Sequence, residues 1–469
     1  VVVGLLVASS LGVSNTWAQA IVTSTADDQV AVELTVYNSN LGLIKDRRSV
    51  ALPEQEGELR FMDVAAHIIP VTVHVKSLND SDAFAILEQN YEYDLMNADK
   101  LLDKYVGKSI KLMHWNDFQD RKEVVDALLL SNNQGQIFQI GNDIYLGHPG
   151  FKILPKLPEN LIAKPTLTWF YQNRRHQPHE LEVSYLTNHL TWKADYVLVL
   201  NQDDTAADLS GWVTVDNQSG ATYRQAKLKL VAGTVHRAEE SRAGLVYEDR
   251  LLARPAAAPQ FQEQAFFEYH IYDLQRPTTV KDNQTKQIAL LEANGVSIQK
   301  ELLVYGLRTY YTRRYQEQIP KQPVNVYVVF SNAQANHLGM PLPAGIMRLY
   351  KEDQDERLQF IGEDRVEHTP KDEKVRLKAG EAFDVVAERR QSDFRQLSTQ
   401  LHESEWEVTL RNHKDEPVTV GLIEPVFGNW QVINSSHSYT KQDAFTLRFD
   451  IPVPKDGEAK VTYRLRVGL

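Results

Sequence analysis

Hydrophobic and polar residues alternate one by one along most of this chain. Val30-Ala-Val-Glu-Leu-Thr-Val-Tyr37 sets Val30, Val32, Leu34 and Val36 on one face, and Ala226-Lys-Leu-Lys-Leu230 turns its lysines to the other. Residues 324–330, 406–411 and 459–467 repeat the pattern. Successive strand side chains point to opposite sides, so a period of two predicts half-buried strands of antiparallel sheets. Asn217-Gln-Ser-Gly220, Gly141-Asn-Asp143 and Lys455-Asp-Gly457 supply turn residues between such runs. Strands recurring at this short spacing predict a mainly β protein made of several antiparallel β-sandwich, immunoglobulin-like units. Helical periodicity is confined to residues 97–105. There Asn97 is the N-cap, Leu101, Leu102 and Tyr105 share a face, and Gly107 is the terminator.

Breaks in the pattern predict five segments. Residues 1–20 read as a leader, 21–90 as a first β domain, and 91–165 as a small β insert holding the helix. A central β domain follows over 166–337, and a C-terminal β-sandwich over 338–469. Within the central domain, residues 241–264 lack periodicity and are rich in Ala, Pro and Gln, which predicts a mobile loop. No repeat of fixed period is present.

The leader carries no charge and ends Ala18-Gln19-Ala20, the small-x-small form of an export cleavage site. Its apolar part is too short to span a bilayer and is interrupted by Ser9, Ser10, Ser14 and Asn15. An exported chain, periplasmic or extracellular and not membrane-spanning, is therefore expected. The charge supports a further exclusion. With 51 Lys and Arg against 62 Asp and Glu, the net −11 opposes broad nucleic-acid binding, which needs basic surface. The absence of cysteine removes disulfides, thiolate metal sites and a cysteine nucleophile.

Catalytic devices are scarce. No Gly-x-Ser-x-Gly elbow occurs, and no Gly-rich phosphate loop precedes a helix. His176-Gln-Pro-His179-Glu180 comes nearest to a metal site, with His189 ten residues on. Arg174 and Arg175 would repel a cation there, and Pro178 marks a hairpin connection, so a solvated loop is expected and no metal or other cofactor. The acidic runs 201–208 and 351–356 read as turns between strands. Aromatics offer more. Tyr305-Gly-Leu-Arg-Thr-Tyr-Tyr-Thr-Arg-Arg-Tyr315 mixes tyrosine with arginine, a combination suited to stacking on a sugar and bonding it. Trp192, Tyr196, Trp212 and Tyr223 lie in the central strands, where the tryptophans and Tyr196 are expected in the core.

Several strings resemble a bacterial family known as domain of unknown function 4139. They include Leu181-Glu-Val-Ser-Tyr-Leu-Thr, Leu190-Thr-Trp-Lys-Ala-Asp-Tyr196, Gly211-Trp-Val-Thr-Val-Asp-Asn-Gln-Ser-Gly220 and Ala226-Lys-Leu-Lys-Leu-Val-Ala-Gly233. Gln275-Arg-Pro-Thr-Thr279, Asn283-Gln-Thr-Lys286, Gly339-Met-Pro-Leu-Pro-Ala-Gly345, His368-Thr-Pro-Lys-Asp-Glu-Lys374 and Leu410-Arg-Asn-His-Lys414 belong to the same set. The resemblance runs from about Thr166 to the C-terminus. It implies exported, β-rich proteins without an assigned activity. Some relatives carry the label mucoidy inhibitor A and a long coiled coil, whereas this chain has no heptad stretch.

Together these features predict a non-catalytic cell-envelope protein that binds a glycan or an envelope protein, or has a structural role. The residues expected at its binding surface are Tyr310, Tyr311, Tyr315, Arg308, Arg313, His368 and Lys371. The alternative is a hydrolase acting on an envelope polysaccharide or peptide polymer.

Overall fold

The computed structural model describes residues 20–92, 97–116, 120–133, 135–156, 164–233, 261–266, 269–315, 319–353, 355 and 357–468. The predicted leader, apart from Ala20, and the predicted loop as far as Gln260 lie outside these residues. Phe261–Phe266, at the end of that loop, is a strand.

The alternation becomes six sheets among the described residues. Ala226, Leu228 and Leu230 are buried on one face of Tyr223–Ala232, as are Trp406, Val408 and Leu410 on Leu401–Asn412. Val30 departs from its expected face and is 58% exposed. A register shift between Gln29 and Ala31 interrupts the pairing at the start of that strand, while Val32, Leu34 and Val36 stay buried.

Two sheets make the N-terminal unit. One orders Ala20–Ser24, Gln55–Met62, Thr166–Asn173 and Phe84–Glu92. The other runs His74–Ser77, His179–Thr187, Leu41–Val50 and Gln29–Tyr37, then continues through Tyr223–Ala232 and Tyr269–Leu274. Leu59, Phe61, Leu167 and Trp169 belong to the same core as Leu34, Ile44, Leu181 and Val183. A buried arginine crosses that core. Arg48 bonds Asp46 and the Ser24 carbonyl while its guanidinium lies 3.6 Å over Phe61. The central sheet orders Gln284–Ser297, Ala206–Asn217, Leu190–Leu200, Gly345–Glu352 and Leu358–Val366, and its apolar face joins this core.

A second core lies in the C-terminal unit. One of its sheets contains Lys374–Glu381, Asn325–Ser331, Gln299–Tyr305, Val418–Pro425 and Thr446–Val453. The facing sheet contains Ile319–Gln322, Val385–Gln396, Leu401–Asn412, Gly457–Gly468 and Asn429–Ser435. Most neighbours are antiparallel. Among the described residues four pairs are parallel, including Leu190–Leu200 with Gly345–Glu352 and Gln299–Tyr305 with Val418–Pro425. Parallel partners need a long crossover, so these pairs join strands far apart in sequence.

The same device closes four strands. Asn173, Asn217 and Asn412 end strands, Asn332 directly follows one, and all four are buried. In each, the side-chain amide donates to carbonyls of neighbouring loops while Oδ1 accepts a backbone N–H. Asn332 donates to the Met340 and Pro370 carbonyls at 2.8 and 2.9 Å and accepts from Gly339 at 3.1 Å. Asn217 does so with Ala221, Lys281 and Ser219, and Asn412 with Glu416, Pro454 and Lys414. One side chain thus satisfies backbone groups that a sheet end would otherwise leave unpaired.

The small insert is a separate sheet with its own core. Its order is Asp143–Leu146, Ile137–Ile140, Arg121–Ser131, Ser109–Asn116 and Phe151–Ile153. The α-helix Ala98–Asp103 is capped as its sequence predicts, with the Lys100 N–H donating to Asn97 at 2.8 Å. Leu102 and the following Tyr105 pack on Ile110, Leu112, Ala127, Leu129 and Phe138. That covers one side of the sheet.

Candidate functional site

The histidine pair does not converge on a common point. His179 is fully buried, with Nδ1 2.9 Å from Ser77 Oγ and Nε2 2.9 Å from Asn173 Oδ1, so both ring nitrogens are occupied. Burial, then Arg175, lower its pKa and keep the ring neutral. His176 points outward and meets Glu54 at 2.9 Å. His189 lies instead against His67, with centroids 4.1 Å apart and the rings tilted by 44°. Among the described residues no group of three His, Asp or Glu side chains could hold a metal ion.

The tyrosine segment divides between core and surface. Tyr310 and Tyr311 are buried in the short 3-10 turn Arg308–Tyr311, whereas Arg308 and Arg313 are exposed. The two tyrosines help enclose an ion pair that crosses the C-terminal core. Arg389, on Val385–Gln396, meets Glu424, on Val418–Pro425 of the opposite sheet, at 2.6 Å with neither side chain exposed. Arg389 also donates to Tyr463 at 2.6 Å and Gln322 at 3.1 Å, and Tyr311 donates to Glu424. The Arg389 guanidinium lies 5.0 Å over Tyr310 and 5.7 Å over Trp406. Gly306 makes room for the carboxylate, since a Cβ there would sit 1.9 Å from Glu424 Oε2. Tyr315 is partly buried, its ring against Tyr310 and Trp406, and Arg313 donates to its hydroxyl at 3.0 Å. Most of the predicted stacking surface is therefore occupied by the protein's own side chains.

The inward side of Leu401–Asn412 carries buried polar atoms without a protein partner: His402 Nδ1, Ser404 Oγ and Trp406 Nε1. An unpaired buried hydroxyl costs free energy that a methyl group does not. Ser404→Ala is expected to raise stability by about 1 kcal/mol, read as a higher Tm in thermal unfolding. An unchanged or lower Tm would show that this hydroxyl is satisfied after all.

His368 and Lys371 lie on the polar string after Leu358–Val366. His368 Nδ1 accepts the Ala344 N–H at 3.1 Å, and Lys371 meets Asp372 at 3.6 Å. Thr369 and Leu342 exchange backbone hydrogen bonds at 2.9 Å, so this string stitches the Gly339–Gly345 segment in place. Tyr196 and Tyr272 donate to the carbonyls of Pro343 and Pro341 in that segment. Trp192, Tyr196 and Tyr223 are core residues, whereas Trp212 is 42% exposed.

A surface that sequence reasoning passed over lies on the insert. Ten of the twenty-five exposed large hydrophobic residues among those described fall between Val106 and Ile153. With Ile110, Leu112, Ala127 and Leu129 turned toward the helix, alternation turns Met113, Trp115, Val124 and Leu128 to the other side. The register extends this face across the sheet. Phe151 lies beside Met113 and Met113 beside Val124, while Ile153 neighbours Lys111 and Lys111 neighbours Asp126. Trp115 pairs with Lys122, and Leu146 with Ile137 at the far edge. Phe151 is 74% exposed, Leu146 85% and Trp115 53%. The signal was present as apolar neighbours facing both ways, in Val124-Val125 and Leu128-Leu129-Leu130. Such runs suit a sheet covered on both faces, and here the helix covers one.

A family model described as domain of unknown function (DUF4139) covers residues 181–467. No curated protein matches the chain. The insert precedes the matched residues.

Proposed function

The chain belongs to the DUF4139 family, and we propose that it is an exported, non-catalytic binding protein that docks on the cell envelope through the outer face of its insert sheet. The observation carrying this reading is the apolar face around Phe151, Met113, Val124 and Trp115. Contiguous exposed apolar surface of this kind marks interaction sites, because water otherwise penalises it. The histidine of the predicted metal pair that is buried fits the same reading: His179 has both ring nitrogens taken up by structural partners. A catalytic acid or base needs an atom turned toward a substrate.

Cell fractionation tests the reading. The full chain expressed in a bacterial cell is expected in the envelope fraction. A variant with Ile144→Ser, Leu146→Ser and Phe151→Ser is expected in the soluble fraction at unchanged Tm. Equal distribution of the two proteins would overturn the docking role of this face.

A further inference from the structure

Resting on that reading, we infer that the partner of the insert face is an anionic phospholipid surface. The insert is nearly neutral in an acidic chain: residues 91–165 hold nine Lys and Arg against ten Asp and Glu, a net −1 where the total is −11. An anionic bilayer therefore repels the insert far less than the acidic remainder. The face itself has the composition of an interfacial anchor. Trp115 and Phe151 are exposed rings that suit the boundary between headgroups and acyl chains. Lys122 is the cross-strand neighbour of Trp115, and Lys111 lies between Ile153 and Asp126. Both lysines are exposed, and each can lay its aliphatic stem along the apolar surface while its ammonium reaches a phosphate. Insertion requires no strand to open, since the side chains already protrude from a paired sheet. The sheet lies on the surface and does not cross it.

The experiment is co-sedimentation of the purified full chain with lipid vesicles. Binding is expected to vesicles of phosphatidylglycerol mixed with phosphatidylcholine, weaker binding to phosphatidylcholine alone, and loss of the difference in high salt. Trp115→Ser with Phe151→Ser is expected to lower the affinity by about tenfold or more, because two exposed rings lose their transfer into the interface. Lys111→Glu with Lys122→Glu is expected to lower binding to the anionic vesicles alone. Unchanged Tm in both variants separates these losses from misfolding. No binding to either vesicle overturns the lipid assignment, as does equal binding by all variants. If vesicles fail while the serine variant still leaves the envelope fraction, the docking face stands and its partner is a protein or glycan. If both measurements fail, the docking reading falls as well.

Discussion

Replacing Glu424 by alanine is expected to cost about 3–5 kcal/mol, enough to unfold the C-terminal unit near physiological temperature. The reason is the residue left behind. Arg389 is fully buried, and burial works against its charge, but Glu424 more than offsets that and raises its pKa above the ordinary arginine value. Without the carboxylate, a guanidinium that cannot shed its proton stays in the core with two neutral partners, Tyr463 and Gln322. Arg389→Met is expected to damage the fold similarly by stranding the Glu424 carboxylate, which would retain only neutral hydroxyl partners such as Tyr311. The double replacement Arg389→Met with Glu424→Met should cost less than either single change, because no unpaired charge remains. Denaturant unfolding of all three variants measures the coupling. Additive single effects under 1 kcal/mol would show that the pair does not hold the sheets together.

The second large effect is expected at Asn332. Asn332→Leu keeps the branched skeleton of the side chain and removes the amide that serves the Met340 and Pro370 carbonyls and the Gly339 N–H. Each buried group left without a partner costs about 1–3 kcal/mol, so a loss of about 3 kcal/mol or more is expected in chemical denaturation. The Gly339–Gly345 segment should loosen first, seen as faster amide exchange there than in the C-terminal core. A loss below 1 kcal/mol, with exchange unchanged, would assign those backbone groups to other partners. Asn217 and Asn412 make the equivalent bonds, and their leucine variants should behave alike.

The strands were legible because burial follows a period of two. The alternation in residues 226–230 and 406–411 appears in the structure residue for residue. The helix was legible from its cap. Strand partners were not, because alternation gives a buried face and no address: nothing local tells Leu190–Leu200 to lie parallel to Gly345–Glu352. The asparagine device was half visible. Val213-Thr-Val-Asp-Asn217 and Val408-Thr-Leu-Arg-Asn412 share a pattern, but their irregular spacing hides it from a search for fixed periods. The burial of Tyr310 and Tyr311 was hidden for a different reason. Tyrosine beside arginine is written the same way for a sugar-stacking surface as for a core that shields an ion pair, and only Glu424, 113 residues from Tyr311, distinguishes them.

The insert also divides the N-terminal sheets in time. Met62 and Thr166 are register partners, although about 100 residues lie between them in the chain. At ribosomal rates of about 5–20 residues per second, Gln55–Met62 waits roughly 5–20 s for the strand that flanks it. His179–Thr187, which lies between Leu41–Val50 and His74–Ser77, arrives later still. Until then these early strands present unpaired edges that could join a neighbouring chain. Production yield should therefore depend on what shields residues 20–92 during synthesis more than on the final stability of the completed sheets.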